Sequence, residues 1–204
     1  MSDKLQGKKP LHFMIDLETL STKPNAAILS VGAVAATSNS ATPNFYAKIE
    51  VAEYEKISFR HKFDINPNTI AWWNEQDPAV RAESFSGMNL LSTVMHHFAD
   101  WIRINCEVNN SFPVIWGNGA AFDNVVLKHA LEFSGITNLW SYKHDMCYRT
   151  ICTMFPFYYE TAKLLVPANE TKHNALADAQ YQARILESIL NQLGEEGIVL
   201  WQPR

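Results

Sequence analysis

The sequence predicts an α/β fold: a mixed β-sheet, an antiparallel meander followed by parallel strands, flanked by α-helices. Three features carry this expectation. An apolar run from His12 ends in Asp16-Leu17-Glu18 and reads as a strand. The segment 26–37 is nearly continuously apolar without alternation, as befits a central strand covered on both faces. Beyond residue 66, helix-start signals and helical apolar stripes dominate, interrupted by short strand-like runs.

Taken in order, the first strand turns through Thr22-Lys23-Pro24-Asn25 into the second, and the second turns through Ser38-Asn39-Ser40-Ala41 into a third at Pro43 to Ile49. Asn66-Pro67-Asn68-Thr69 opens a helix and Asp77-Pro78 a shorter one. Leu90, Leu91, Val94, Met95, Phe98, Trp101 and Ile102 trace the apolar face of the next. Strands are expected at Phe112 to Trp116 and near Leu139 to Lys143, and a mobile loop at Glu160 to Lys172. His173-Asn174-Ala175-Leu176-Ala177-Asp178 opens a last long helix, amphipathic and continuing through Leu186.

A chain of 204 residues, 47% of them hydrophobic, can bury a substantial core. The expected organisation is a flexible segment 1–10 followed by one domain, 11–204. No apolar stretch is long enough for a membrane span, and residues 1–10 lack a signal-peptide core, so no membrane partner and a cytoplasmic location are expected. Cys106, Cys147 and Cys152 have neither an even count nor zinc-site spacing and read as reduced thiols. His96 and His97 are adjacent, so on a helix they face apart and make poor joint ligands.

Asp16 and Glu18 are two residues apart, so in a strand both carboxylates leave the same sheet face. Like charges held that close repel, and a divalent cation between hard oxygen ligands relieves the repulsion. Trp116-Gly117-Asn118-Gly119-Ala120-Ala121-Phe122-Asp123 reads as strand, glycine-rich turn and helix start, with Asp123 in or just before the first turn. An N-cap role would explain Asp123 and leave the glycines unexplained. His173 precedes Asp178 by five positions at the entrance of the last helix, which puts an imidazole near a third carboxylate.

Together, Asp16, Glu18, Asp123, His173 and Asp178 resemble in order and context the DEDDh 3′-to-5′ exonuclease family of the ribonuclease H-like superfamily. Asp16-Leu17-Glu18-Thr19-Leu20, the segment 28–34 and the segment 69–76 are similar to the phage-type exodeoxyribonuclease VIII-like and mycobacterial exoribonuclease-like group. The resemblance runs from about Phe13 to about Leu190.

It implies metal-dependent hydrolysis of single-stranded DNA or RNA from the 3′ end to nucleoside 5′-monophosphates, with two divalent cations, Mg²⁺ or Mn²⁺. On this reading Asp16 bridges, Glu18 and Asp178 hold the cation that activates the attacking water, Asp123 supports the second, and His173 is the general base. A histidine suits that role because its ordinary pKa of roughly 6.5 leaves a neutral imidazole near neutral pH. Leu17, Thr19, Leu20, Trp73, Asn118, Phe122 and Arg149 are the candidate substrate contacts.

DNA is placed ahead of RNA, with an exoribonuclease of the same mechanism as the alternative and a noncatalytic nucleic-acid-binding protein behind both. The formal net charge of −4 argues against broad binding to duplex nucleic acid. Arg60, Lys62, Lys128, Lys143, Arg149 and Lys172 remain to guide a short strand end. Trp72 and Trp73, as helical neighbours, cannot share one environment: one belongs to the core, the other is free for substrate or a second copy of the chain, a candidate homodimer partner.

Overall fold

The computed structural model describes residues 7–36, 43–57, 63–169, 171 and 173–196. The turn expected at Ser38 to Ala41, the start of the N-terminal segment, Arg60, Lys62 and Lys172 lie outside the described residues. The sheet order is β3-β2-β1-β4-β5, with β1 at Lys9–Thr19, β2 at Ile28–Ala36, β3 at Asn44–Lys48, β4 at Ser111–Gly117 and β5 at Asp145–Cys147. The first three strands pair antiparallel, whereas β1–β4 and β4–β5 are parallel. The meander and mixed sheet follow the pattern expected from the sequence.

The period-2 alternation of β1 divides the molecule. Phe13, Ile15 and Leu17 enter one core with Trp73 and the apolar face of helix α4, Leu91–Val108. Met14 enters a second core on the opposite face, under helix α8, Ala175–Glu195. Asp16 and Glu18, in phase with Met14, therefore share the α8 side. Buried residues run from Ile28 through Ala35 on β2, as a strand covered on both faces requires.

Helix α1, Glu53–Lys56, is short. Helix α2, Pro67–Asn74, is capped by Asn66, and α3, Pro78–Ser84, by Asp77. Both prolines occupy the first turn, where a missing N–H costs little. On α4 the stripe holds for Leu91, Val94, Met95, Phe98 and Ile102, but Leu90 is the N-cap residue and half exposed. Helix α5 is Asp123–Phe133.

Two sequence expectations are corrected. Leu139 to Lys143 is not a strand: Ser141 opens a 3-10 turn at Tyr142–His144, and strand pairing begins only at Asp145, opposite Ile115. The Asp145 carboxylate draws in Trp140 Nε1 at 2.8 Å, Asn124 Nδ2 at 3.0 Å and the Lys128 ammonium, so the preceding residues curl around it. Glu160 to Lys172 is not loop throughout. Helix α6, Tyr148–Met154, is followed by α7, Pro156–Leu165, whose Ala162 is buried against the second core.

No described helix is long and apolar enough to cross a membrane. The cysteines are free, with Cys106 and Cys152 buried and Cys147 partly so.

The packing of α8 on β2 leaves no room for a side chain at Gly32, which pairs with Asp16 across the sheet. A Cβ there would lie 2.1 Å from the Ala175 carbonyl carbon. Gly32→Ala should therefore cost about 1–3 kcal/mol, the usual penalty of overpacking, read as a lower denaturation midpoint. Gly194→Ala, with open space around its added Cβ, should be neutral or stabilising by up to about 1 kcal/mol.

Candidate active site

Three elements converge on the α8 side of β1. Carboxylate oxygens of Asp16, Glu18 and Asp178 lie within 4.8 Å of one another, and Asp178 stands in the first turn of α8. The parallel register of β1 and β4 sets Ile15 beside Gly117, so the turn leaving β4 emerges next to Asp16. That turn carries Asp123, whose Oδ2 accepts from the Gly119 amide at 2.9 Å rather than serving only the helix that Asp123 begins. A Cβ at Gly117 would stand 2.5 Å from Asn124 Oδ1 and 2.7 Å from the Asp123 Cβ, so glycine is what lets the two residues fold back so tightly.

The electrostatics are those of acids held together against repulsion. Burial pushes the Asp16 carboxyl well above the usual carboxylate range, and the charges of Asp123 and Glu18 push it further. Glu18 is raised to about 8, by burial first and then by Asp178 and Asp123. Asp123 is raised to about 6 by burial, against the opposing pull of the Gly119 amide and the Arg149 charge. Asp178 is raised by burial too, although Asn169 and His173 favour its ionised form. None of the four takes part in a salt bridge among the described residues. Such a set of recessed hard oxygens, without an ion-pair partner among the described residues, fits a divalent cation.

His173 precedes the helix rather than opening it. Its backbone is in the left-handed region, φ 58°, and Asn174 caps α8 by accepting from the Ala177 amide at 3.0 Å. The imidazole meets Trp72 edge to face, with centroids 5.0 Å apart and planes at 88°, and Trp73 lies behind at 6.3 Å. The His173 carbonyl accepts a 3.5 Å hydrogen bond from Ser84 Oγ.

The substrate contacts expected from sequence separate into two groups. Leu17 and Leu20 are buried in the core with Phe13 and Ile15. Thr19 is buried with its hydroxyl donating to the Ser21 carbonyl. Trp73 is 1% exposed and donates from Nε1 to the Thr19 carbonyl at 3.0 Å, so Trp72, 41% exposed, is the surface member of the pair. Asn118 and Phe122 are half-buried beside the glycine turn, and Arg149 is exposed with its guanidinium over Gly119. Lys128 is engaged by Asp145 and by the Trp140 ring.

Two supporting residues escape the sequence reading. Gln182 donates from Nε2 to Asp16 Oδ1 at 2.9 Å, and its buried Oε1 has no partner among the described residues. Its spacing of four from Asp178 puts both on one face of α8, a signal present in the sequence. Asn169 donates from Nδ2 to Asp178 Oδ1 at 2.7 Å across a loop, and no local pattern announces that contact.

A family model described as a 3′-5′ exoribonuclease Rv2179c-like domain matches residues 11–190. No curated protein matches the sequence significantly. Among solved structures, the nuclease domain of 3′hExo, a DEDDh family member bound to rAMP, is 13% identical with a TM-score of 0.58, covering 95% of this chain and 96% of that one. Exonuclease I of E. coli in complex with a dT13 oligonucleotide is 12% identical with a TM-score of 0.57 over 92% of this chain. The match spans 43% of the exonuclease I chain. The cell-death related nuclease CRN-4 is 12% identical with a TM-score of 0.58, over 89% of this chain and 64% of that one. At such identities the likeness is one of fold, that of ribonuclease H-like exonucleases.

The raised carboxyls have a consequence for stability. Between the ordinary glutamate value of 4.5 and about 8, native Glu18 retains a proton that the unfolded chain has released, so stability falls as pH rises through that window. Asp123 contributes in the same direction up to about 6. In chelator-treated protein the melting temperature should drop as pH is raised across this window, and Mg²⁺ or Mn²⁺ should restore it most at the alkaline end. A melting temperature that neither falls with pH nor responds to cation would contradict this account.

Proposed function

Because the chain belongs to the family of Rv2179c-like 3′-5′ exoribonuclease domains, we propose that it is a 3′-5′ exonuclease that trims single-stranded RNA 3′ ends to nucleoside 5′-monophosphates with two divalent cations, Mg²⁺ or Mn²⁺. The observation that carries the reading is the convergence of Asp16, Glu18 and Asp178 oxygens within 4.8 Å, with Asp123 close enough to raise the carboxyls of the first two. RNA is put ahead of DNA on the family's description, reversing the order taken from the motifs alone.

Asp16, Glu18 and Asp178 would together hold a cation, and Asp123, tied back to the Gly119 turn, would support a second beside Asp16. Bound there, the cations supply positive charge to the phosphate and leaving oxygens, where negative charge builds during displacement. Gln182 and Asn169 fix the carboxylate rotamers of Asp16 and Asp178 by direct hydrogen bonds. His173 takes the proton of the attacking water at its imidazole nitrogen. Arg149, exposed over the Gly119 turn, offers a guanidinium to a phosphate entering beside Asp123, and Phe122 and Asn118 line the same approach.

Matched RNA, single-stranded DNA and duplex substrates labelled at either end test the reading, with cation and with chelator. Cation-dependent release of monophosphates from the 3′ end is expected, fastest on single-stranded RNA because a terminal base need not first be unpaired. Internal cutting as the first event would overturn it.

Two substitutions then separate ligand from base. Asp16→Ala should abolish most activity and weaken cation binding measured by calorimetry. His173→Ala should leave cation affinity nearly intact while slowing single-turnover hydrolysis on the order of a hundredfold to ten-thousandfold, the scale of general-base catalysis.

A further inference from the structure

Trp72 occupies an unusual place for a large aromatic side chain. It sits on α2 with 41% of its surface exposed, beside a buried tryptophan that already fills the core position. Its indole meets two rings, Trp73 at 5.0 Å and 74°, and the His173 imidazole at 5.0 Å and 88°. Trp73 is fixed in turn by its hydrogen bond to the Thr19 carbonyl, at the end of the strand that carries Asp16 and Glu18. The path Thr19, Trp73, Trp72, His173 thus joins the strand of the carboxylates to the imidazole through packed, rigid rings.

His173 needs such an external hold. It lies outside α8, in a loop whose neighbours Asn174 and Ser84 secure only backbone and cap, and no described hydrogen bond reaches its ring. An unrestrained imidazole at a loop position samples several rotamers, of which few aim a nitrogen at the acids. An edge-to-face contact with a neighbouring ring selects among them.

We propose that Trp72 is a positioning residue: its indole, braced by Trp73, holds the His173 imidazole in one rotamer at the entrance to α8, the rotamer from which it acts. This rests on the general-base reading of His173. Trp72 acts through the histidine and not through substrate, so its loss lowers turnover without changing substrate or cation affinity.

The test is a double-mutant cycle on the full chain. Trp72→Leu keeps apolar bulk on α2 and removes the ring, Trp72→Phe keeps a ring, and each is combined with His173→Ala. Trp72→Leu should lower kcat roughly threefold to tenfold, the population change that loss of one edge-to-face contact permits, with KM and the cation titration midpoint unchanged. Trp72→Phe should recover most of that loss. In the His173→Ala background Trp72→Leu should have no further effect, because the group it positions is gone.

A raised KM with intact kcat, or the same fractional loss with and without His173, would make Trp72 a substrate contact and overturn the proposal. Normal turnover of Trp72→Leu beside an impaired His173→Ala would also overturn it and leave the general-base reading standing. If His173→Ala itself turns over normally, the general-base reading fails instead. The ring-proton resonances of His173, identified by their absence in His173→Ala, then decide the contact. They should move on Trp72→Leu and stay near their native shifts in Trp72→Phe, and resonances unmoved in both would refute the hold on the ring.

Discussion

Mutual repulsion among Asp16, Glu18, Asp123 and Asp178 is the force that the rest of the structure has to contain. Each of these acids is raised by burial, and the charges of its companions add to the effect on Asp16 and Glu18. Left to relax, such a group would splay apart or swell with water. It cannot, because the four carboxylates come from three rigid settings: a central strand that carries two of them, a helix start tied back to a glycine turn, and the first turn of a long helix. Gln182, Asn169 and the Gly119 amide hold the oxygens from outside the cluster.

Close backbone approach makes this containment possible. At Gly32 the start of α8 lies directly on β2, and at Gly117 the turn bearing Asp123 folds against the end of β4. Both contacts draw acids toward β1 by removing the volume of one side chain. The apolar core on the far face of the sheet, anchored by Phe13, Ile15, Leu17 and Trp73, gives β1 the stiffness to resist. The two faces of one strand thus differ in kind, one apolar and supporting, the other lined with acids.

Much of this was legible in the sequence because it depends on short-range periodicity. Asp16 and Glu18 two apart on a strand, glycines ahead of Asp123, and His173 five before Asp178 all follow from local geometry, as do the caps Asn66 and Asp77 beside their prolines. The failures have a common physical origin in contacts distant along the chain. Leu139 to Lys143 is apolar enough for a strand, yet the Asp145 carboxylate and its partners Asn124 and Lys128 bend it into a turn. Part of Glu160 to Lys172 is helical because Ala162 finds a buried place against the second core. Which of Trp72 and Trp73 faces inward depends on the Thr19 carbonyl, 54 residues away. Leu17 lies on the other side of the sheet by the strand period, whereas Leu20, in phase with Glu18, joins the same core beyond the register shift between Glu18 and Thr19, which no local pattern announces.

The hydrogen bond from Gln182 to Asp16 spans 166 positions of the chain. The groups at its two ends emerge from synthesis at opposite times: the strand with its paired acids is made early, the helix with Asp178 late. Until that helix docks, the early carboxylates face water, where their charges are cheaply solvated and their repulsion is screened. Docking both completes the cluster and removes that solvation. The acid cluster is therefore complete only once α8 has been made and has docked on β1.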